Sequence, residues 1–208
     1  MPSAAPLDPG ATLVRVDEDI ELRMPAEVDA EAIFAIVDAE RRRLARWLPW
    51  VDLVPDVEVE RGFLRRSLQE AAEGRSLTLV IWVDGEIAGG VGLPRIEPID
   101  RCCEIGYWIA QAYAGAGVMT RSVAALTTHC FGELGMHRVE ILAAEGNRRS
   151  RAIPQRLGFV QEAVLRARTF AMGGFRDAVI YSVLDHEWDA EQGRGPGTER
   201  RRPWRRPQ

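Results

Sequence analysis

Apolar positions along the chain change their period in a fixed order. Residues 13–24, LVRVDEDIELRM, read as one strand. The stretch PAEVDAEAIFAIVDAERRRLARWL then places Val28, Ala32, Ala35 and Ile36 along one face of a helix. PDVEVERGFLRRSLQEAAEG is a second helix, with Val59, Phe63 and Leu64 spaced for burial and Gly74 as its stop. The period next shifts to strands. LTLVIWVDGEIAGGVGLPRIE holds Asp84-Gly85, a strong two-residue hairpin signal, between β-branched runs. CCEIGYWIA is a third strand of this run, after a turn at Pro98–Arg101.

From Gly117 onward Val123, Leu126, Cys130 and Leu134 recur at spacings of three and four, which predicts a helix ending at Gly135. HRVEILAAE returns to strand, and NRRSRAIPQRLGF offers a short helix. Pro154 has no N–H for the Ser150 carbonyl, so the turn there bends or frees that carbonyl. Two strands, Phe159–Phe170 and Arg176–Glu187, close the pattern around Gly173-Gly174. The order implies a single α/β domain over residues 13–188, with the helix from Gly117 crossing between two parallel strands.

Composition adds the margins. The chain has 208 residues, 46% hydrophobic and 28% charged, as in ordinary globular domains. Residues 1–12 read as a flexible arm, and 189–208 as a disordered Arg/Pro-rich tail. A net charge of −4 gives no general attraction to nucleic acid, although the tail's arginines could touch RNA or a ribosome. No apolar run suits a membrane span and the start lacks a secretory layout, so the expected location is cytoplasmic, with no membrane partner. Cys102, Cys103 and Cys130 have neither disulfide nor metal spacing, and the three histidines are scattered; no metal is expected. Every basic side chain is arginine, so no internal lysine amine can be acylated.

The stretch YAGAGVMT, Tyr113–Thr120, places two glycines before a helix, and such a start presents free N–H groups at the positive end of the helix dipole. A nucleoside triphosphate loop would need Lys then Ser or Thr after Gly117, where Val118 and Met119 stand. A dinucleotide fingerprint would need glycine at Thr120. A plain tight turn is the remaining alternative.

Together with EIGYW at Glu104–Trp108, GAGVMT at Gly115–Thr120 and NRRSRAIPQRLGF at Asn147–Phe159, the chain from Leu22 to Trp188 resembles the GCN5-related N-acetyltransferases (GNAT), in their ribosomal-protein N-terminal acetyltransferase branch. The resemblance implies a mixed, mostly antiparallel sheet of about seven strands with a central parallel pair splayed apart, flanked by about four helices. It implies acetyl-CoA or another acyl-CoA as co-substrate. The pyrophosphate would lie on the N–H groups of Gly115, Ala116, Gly117, Val118, Met119 and Thr120, and the pantetheine arm beside Tyr107, Trp108 and Ile109. Asn147 and Arg151 complete the implied CoA contacts. Ala114 and Ala116 stand where the family usually carries polar or basic residues, so Arg121, Arg149, Arg151 or Arg156 would have to supply the charge.

Acyl transfer to an amine needs a neutral amine, a polarised carbonyl and a proton for the leaving thiolate. The resemblance gives Glu104 as general base, against a plain carboxylate paired with an arginine, and places Thr169 where some relatives carry another candidate base. It gives Ser150 as the hydroxyl beside the sulfur, with helix capping as the alternative for both Ser150 and Asn147. Trp47 and Trp50 could wall an acceptor site or pack in the core. Arg41–Arg43 read as a solvated helix face. The expected activity is N-acyl transfer, acetyl or larger, to a protein N-terminus or small amine, by direct transfer in a ternary complex. A non-catalytic acyl-CoA sensor and a ribosome-binding module are the alternatives. A homodimer is a further assembly to test.

Overall fold

Asp17 divides what reads as one strand into two. The computed structural model describes residues 8–196; in it the Asp17 carboxylate Oδ1 accepts from the N–H groups of Asp19 and Ile20, at 3.1 and 2.9 Å. This turn separates β1 (Thr12–Arg15) from β2 (Ile20–Arg23). It also gives eight strands rather than about seven.

The first predicted helix is also divided. α1 (Ala30–Ala39) stops at Glu40, and the single turn α2 (Arg41–Leu44) follows. Its inward face is rotated from the expected one: Ala30, Ile33 and Val37 are buried, whereas Val28, Ala32 and Ala35 are exposed. α3 (Val57–Ala72) begins with Asp56 as its cap, the carboxylate accepting from the N–H of Val59 at 2.9 Å. It turns Glu60, Leu64 and Ser67 inward, so Val59 and Phe63 remain at the surface. Gly74, with φ of +69°, ends it as expected.

β3 (Leu77–Val83) and β4 (Glu86–Glu97) join through Asp84-Gly85, where φ is +50° and +81° and Val83 pairs directly with Glu86. β5 (Cys102–Ile109) leads to α4 (Val118–Gly132), then β6 (Arg138–Ala144), α5 (Arg148–Arg156), β7 (Val160–Ala171) and β8 (Gly174–Leu184). Leu134 lies beyond the end of α4 and is partly exposed, unlike Val123, Leu126 and Cys130. The single sheet runs β1-β2-β3-β4-β5-β6-β8-β7, antiparallel throughout except for β5 beside β6. α4 is the crossover between that parallel pair.

Each face of the sheet carries its own apolar layer. Val123, Leu126 and Cys130 of α4 pack with Ile105, Val139 and Phe159 on one side. On the other, Ile33, Val37 and Leu64 pack with Val80 and Ile87. Asp189–Pro196, assigned to the tail by composition, fold back: Asp189 and Arg194 exchange backbone hydrogen bonds, and the Gly195 N–H donates to the Leu157 carbonyl at 2.7 Å. The rest of that tail and residues 1–7 of the arm lie outside the described residues. Among the described residues no helix is long and apolar enough to cross a membrane.

Glu60 is the cost of the second layer. It is 3% exposed, no side-chain partner meets it among the described residues, and burial pushes its carboxyl up to about 7. The folded state thus holds this proton more tightly than the unfolded chain does. The penalty is absent below the ordinary value of 4.5 and grows until pH passes about 7. Urea unfolding of Glu60→Gln should give a variant about 2–3 kcal/mol more stable than the parent at pH 8 and within about 1 kcal/mol of it at pH 4.5. An equal offset at both pH values would show that folding does not shift the Glu60 carboxyl from its ordinary value.

Candidate active site

β5 stays paired with β4 to its last residue, Ile109 opposite Gly89. On its other edge it pairs with β6 through only three positions, Cys102, Cys103 and Glu104, opposite Arg138, Val139 and Glu140. β6 meanwhile stays paired with β8 as far as Ala144. Past Glu104 the two strands therefore part. A groove of about 1180 Å³ opens there, with Ile105–Ile109 on one wall and Leu142–Ala144 on the other. Gly89 and Gly90 let Trp108 approach β4, since a Cβ on Gly90 would lie 2.6 Å from the indole Nε1 and one on Gly89 2.4 Å from the Trp108 carbonyl oxygen.

The groove continues to the start of α4. Gly115 and Gly117 have φ of +89° and +79°, a region that favours glycine. The first bond closing the helix runs from the Arg121 N–H to the Gly117 carbonyl at 3.1 Å. Among the described residues the N–H groups of Gly115 through Thr120 make no hydrogen bond. Six donors thus gather at the positive end of a 15-residue helix, a cradle for an anion. Arg156 donates from Nη2 to Thr120 Oγ1 at 2.9 Å at its rim. Arg156 and Arg149 line the groove, whereas Arg121 pairs with Asp17. Arg151, expected among the CoA contacts, does not line it: Nε donates to the Tyr181 hydroxyl and Nη1 to the Glu145 carbonyl, both at 2.9 Å.

α5 brings Asn147 and Ser150 to the opposite wall. The Asn147 Oδ1 caps the helix by accepting from the Ser150 N–H at 3.3 Å. The helix continues through Pro154, and the carbonyl of Ser150 that the proline leaves free accepts from the Tyr107 hydroxyl at 3.0 Å. Ser150 Oγ in turn donates to the Tyr107 oxygen at 3.2 Å. Burial pushes the phenol up to about 12, with the Ser150 hydrogen bond opposing the shift, so Tyr107 stays a neutral donor near pH 7.

The wall facing α5 is pinned by the break after α1. Glu40 Oε1 accepts from the Gln111 N–H at 2.8 Å, and Arg43, paired with Glu40, donates to the Ile109 carbonyl at 2.7 Å. Arg41 donates to the Val51 and Val54 carbonyls. This run is therefore an anchor rather than the solvated face read from sequence. Trp47 lines the groove, its Cη2 placed 3.5 Å from where a Gly146 Cβ would stand. Trp50 does not line it; its ring meets Trp108 edge-on at 6.3 Å, within the second core layer.

Residues 19–160 match the acetyltransferase (GNAT) domain. The chain belongs to the GNAT acetyltransferase family. It is 32% identical over 179 residues to YdaF of Bacillus subtilis (strain 168), which bears a provisional ribosomal N-acetyltransferase name, covering 86% of this chain and 98% of that one. The fold is similar to RimL, a ribosomal L7/L12 alpha-N-protein acetyltransferase solved with coenzyme A, at a TM-score of 0.79 and 27% identity over 82% of this chain and 97% of the other. It is also similar to MccE, a microcin C7 self-immunity acetyltransferase solved with acetyl-CoA and AMP, at 0.80 and 26% over 86% and 98%.

In this GNAT domain Glu104 stands at the fork itself, the last residue of β5 paired with β6. It does not line the groove, and its carboxylate lies 3.6 Å from Arg95, which binds Glu140 more closely at 2.9 Å. Burial raises the Glu104 pKa, with Arg95 the largest opposing influence. Thr169 of β7 does line the groove. Ala116 of the glycine loop does not, and the groove instead includes Arg46 and Arg148, neither assigned a place there from sequence. No sequence spacing signals the Glu40 and Arg43 contacts, because their partners lie on a strand end remote in the chain.

The Pro154–Tyr107 arrangement is testable by a double-mutant cycle. Tyr107→Phe leaves a part-buried carbonyl unpaired and should cost about 1–3 kcal/mol in urea unfolding. Pro154→Ala restores a backbone donor, so it should be markedly more favourable in the Tyr107→Phe background than in the parent. Additive effects would contradict this account.

Proposed function

We propose that this GNAT domain transfers an acetyl group directly from acetyl-CoA to an amine held in the same groove, with a polypeptide α-amine as the first candidate acceptor. The observation that carries the reading is the joining of two features in one groove: strands that part beyond Glu104 and the N–H cradle of Gly115–Thr120. A phosphate group fits six unpaired donors at a helix start. An extended amide-bearing arm fits the unpaired edge of β5, where Tyr107, Trp108 and Ile109 present backbone groups. RimL supports a protein N-terminus as acceptor, while MccE shows the same fold serving a different immunity function.

Acetyl-CoA supplies the activated acyl carbon and a thiolate leaving group. The chain's residues supply the rest. The backbone N–H of Ile109, on the edge of β5 away from β4, polarises the carbonyl. Ser150 Oγ turns from the Tyr107 oxygen to donate to the departing sulfur, while the Tyr107 hydroxyl keeps the Ser150 carbonyl in place. As the new C–N bond forms and the C–S bond breaks, the amine's proton leaves toward Glu104 through water, since Glu104 does not line the groove itself. Burial raises its pKa, which suits it to accept a proton, and the Arg95 contact opposes that rise.

Acetyl-CoA at a hundredfold its Kd should stabilise the protein by about 2.7 kcal/mol, seen as a rise in Tm. With an amine panel, Ser150→Ala should lower kcat by about 10²-fold or more. For the parent, kcat/KM should fall as pH drops through the raised Glu104 pKa, and Glu104→Gln should remove that acid limb. An unchanged limb would exclude Glu104 as the base. Binding of acetyl-CoA without turnover of any amine would make the chain an acyl-CoA sensor instead.

A further inference from the structure

We infer that the acyl end of the groove selects an amine with a carboxylate close by, and that Arg46 reads that carboxylate. This rests on the groove being the acyltransferase site proposed above. The chain as a whole is acidic, with 31 carboxylate residues against 27 arginines. The groove inverts that balance, because among the described residues five arginines line it and not one Asp or Glu does. Such a concavity attracts anions along its whole length.

The arginines have separate tasks. Arg156 stands at the cradle, held by Thr120 Oγ1, and Arg43 is engaged by Glu40 and the Ile109 carbonyl. Arg148 and Arg149 open α5. Arg46 lines the groove beside Trp47, from the segment that follows α2. Its carbonyl accepts from the Met172 N–H at 3.0 Å, which fixes this loop against the β7–β8 hairpin whose Thr169 also lines the groove. Its guanidinium lies 5.8 Å from the centre of the Trp47 ring, and Trp47 adjoins Gly146, next to Asn147. Among the described residues Arg46 has no ion-pair partner. It is an exposed cation held over the Trp47 ring on the groove wall, with no carboxylate among the described residues to satisfy it.

The same charge pattern disfavours a polyamine or another polycation as acceptor. Its second ammonium would sit among arginines with no carboxylate to meet it. The required chemistry is an amine plus a nearby carboxylate, from either an acidic polypeptide N-terminus or a free amino acid.

The test compares acceptors that differ only in charge, using the full chain and acetyl-CoA. One pair is peptides of equal length beginning Ser-Asp-Glu or Ser-Lys-Lys; a second is a free amino acid and its amide; spermidine is the fifth acceptor. The acidic peptide should exceed its lysine twin in kcat/KM by about tenfold at low salt, and the gap should narrow at about 0.5 M salt. Arg46→Gln should collapse the ratio toward one through KM, Arg46→Lys should retain part of it, and the Kd for acetyl-CoA should move less than twofold in both. A preference carried by the amino acid pair alone would identify the small-molecule source. Equal rates for both twin pairs, a preference for spermidine, or an Arg46→Gln effect of the same size on both twins would overturn the inference while leaving the acyltransferase reading intact. No turnover of any acceptor would overturn both.

Discussion

A strand that is paired on one edge and released on the other leaves a row of backbone N–H and C=O groups without partners, and this fold places that row in the middle of its sheet. β5 is bound to β4 along its length but to β6 at three positions only. The free edge past Glu104 is tolerable because it lines a groove open to water and to an extended ligand. The rest of the site follows from this release. α4 must start where β5 ends, so its unpaired N–H groups fall at the same groove as the free strand edge.

Holding a sheet open needs fixed walls, and the chain secures them by satisfying polar groups that regular structure leaves over. Glu40, where the first helix breaks, takes the Gln111 N–H, and Arg43 takes the Ile109 carbonyl; both bonds fall at the exit of β5. Across the groove, Pro154 denies the Ser150 carbonyl its helical partner and Tyr107 supplies one. Tyr107 belongs to one wall and Ser150 to the other, so this contact sets the position of the Ser150 hydroxyl relative to β5. A proline that looks unfavourable within a helix is thus part of the site's alignment.

How much of this was legible depended on the range of each interaction. The Asp84-Gly85 hairpin, the Gly74 and Gly135 stops and the glycine loop were readable because local chain conformation decides them. The order of strands and helices was readable from period. The Asp17 turn was missed because its side-chain bonds interrupt a run whose flanking residues still favour strand. The buried face of α3 was misplaced because it accepts Glu60 where an apolar residue is expected. At the site, the family motifs point to Ser150, Asn147 and the loop, all of which line the groove except Ala116, but they do not tell that Arg151 turns to Tyr181 or that Trp50 packs with the core. Those outcomes depend on partners from other elements, as do the Glu40 and Arg43 anchors.

The central claim is that free backbone groups on β5 and at the start of α4 form one continuous binding surface. Amide hydrogen exchange with and without CoA measures this directly, residue by residue. Gly115–Thr120 and amides within Ile105–Ile109 should become protected together, at the same CoA concentration, while α3 and the β1–β2 hairpin do not change. Protection of the glycine loop without any change along β5, or protection spread evenly over the domain, would contradict it.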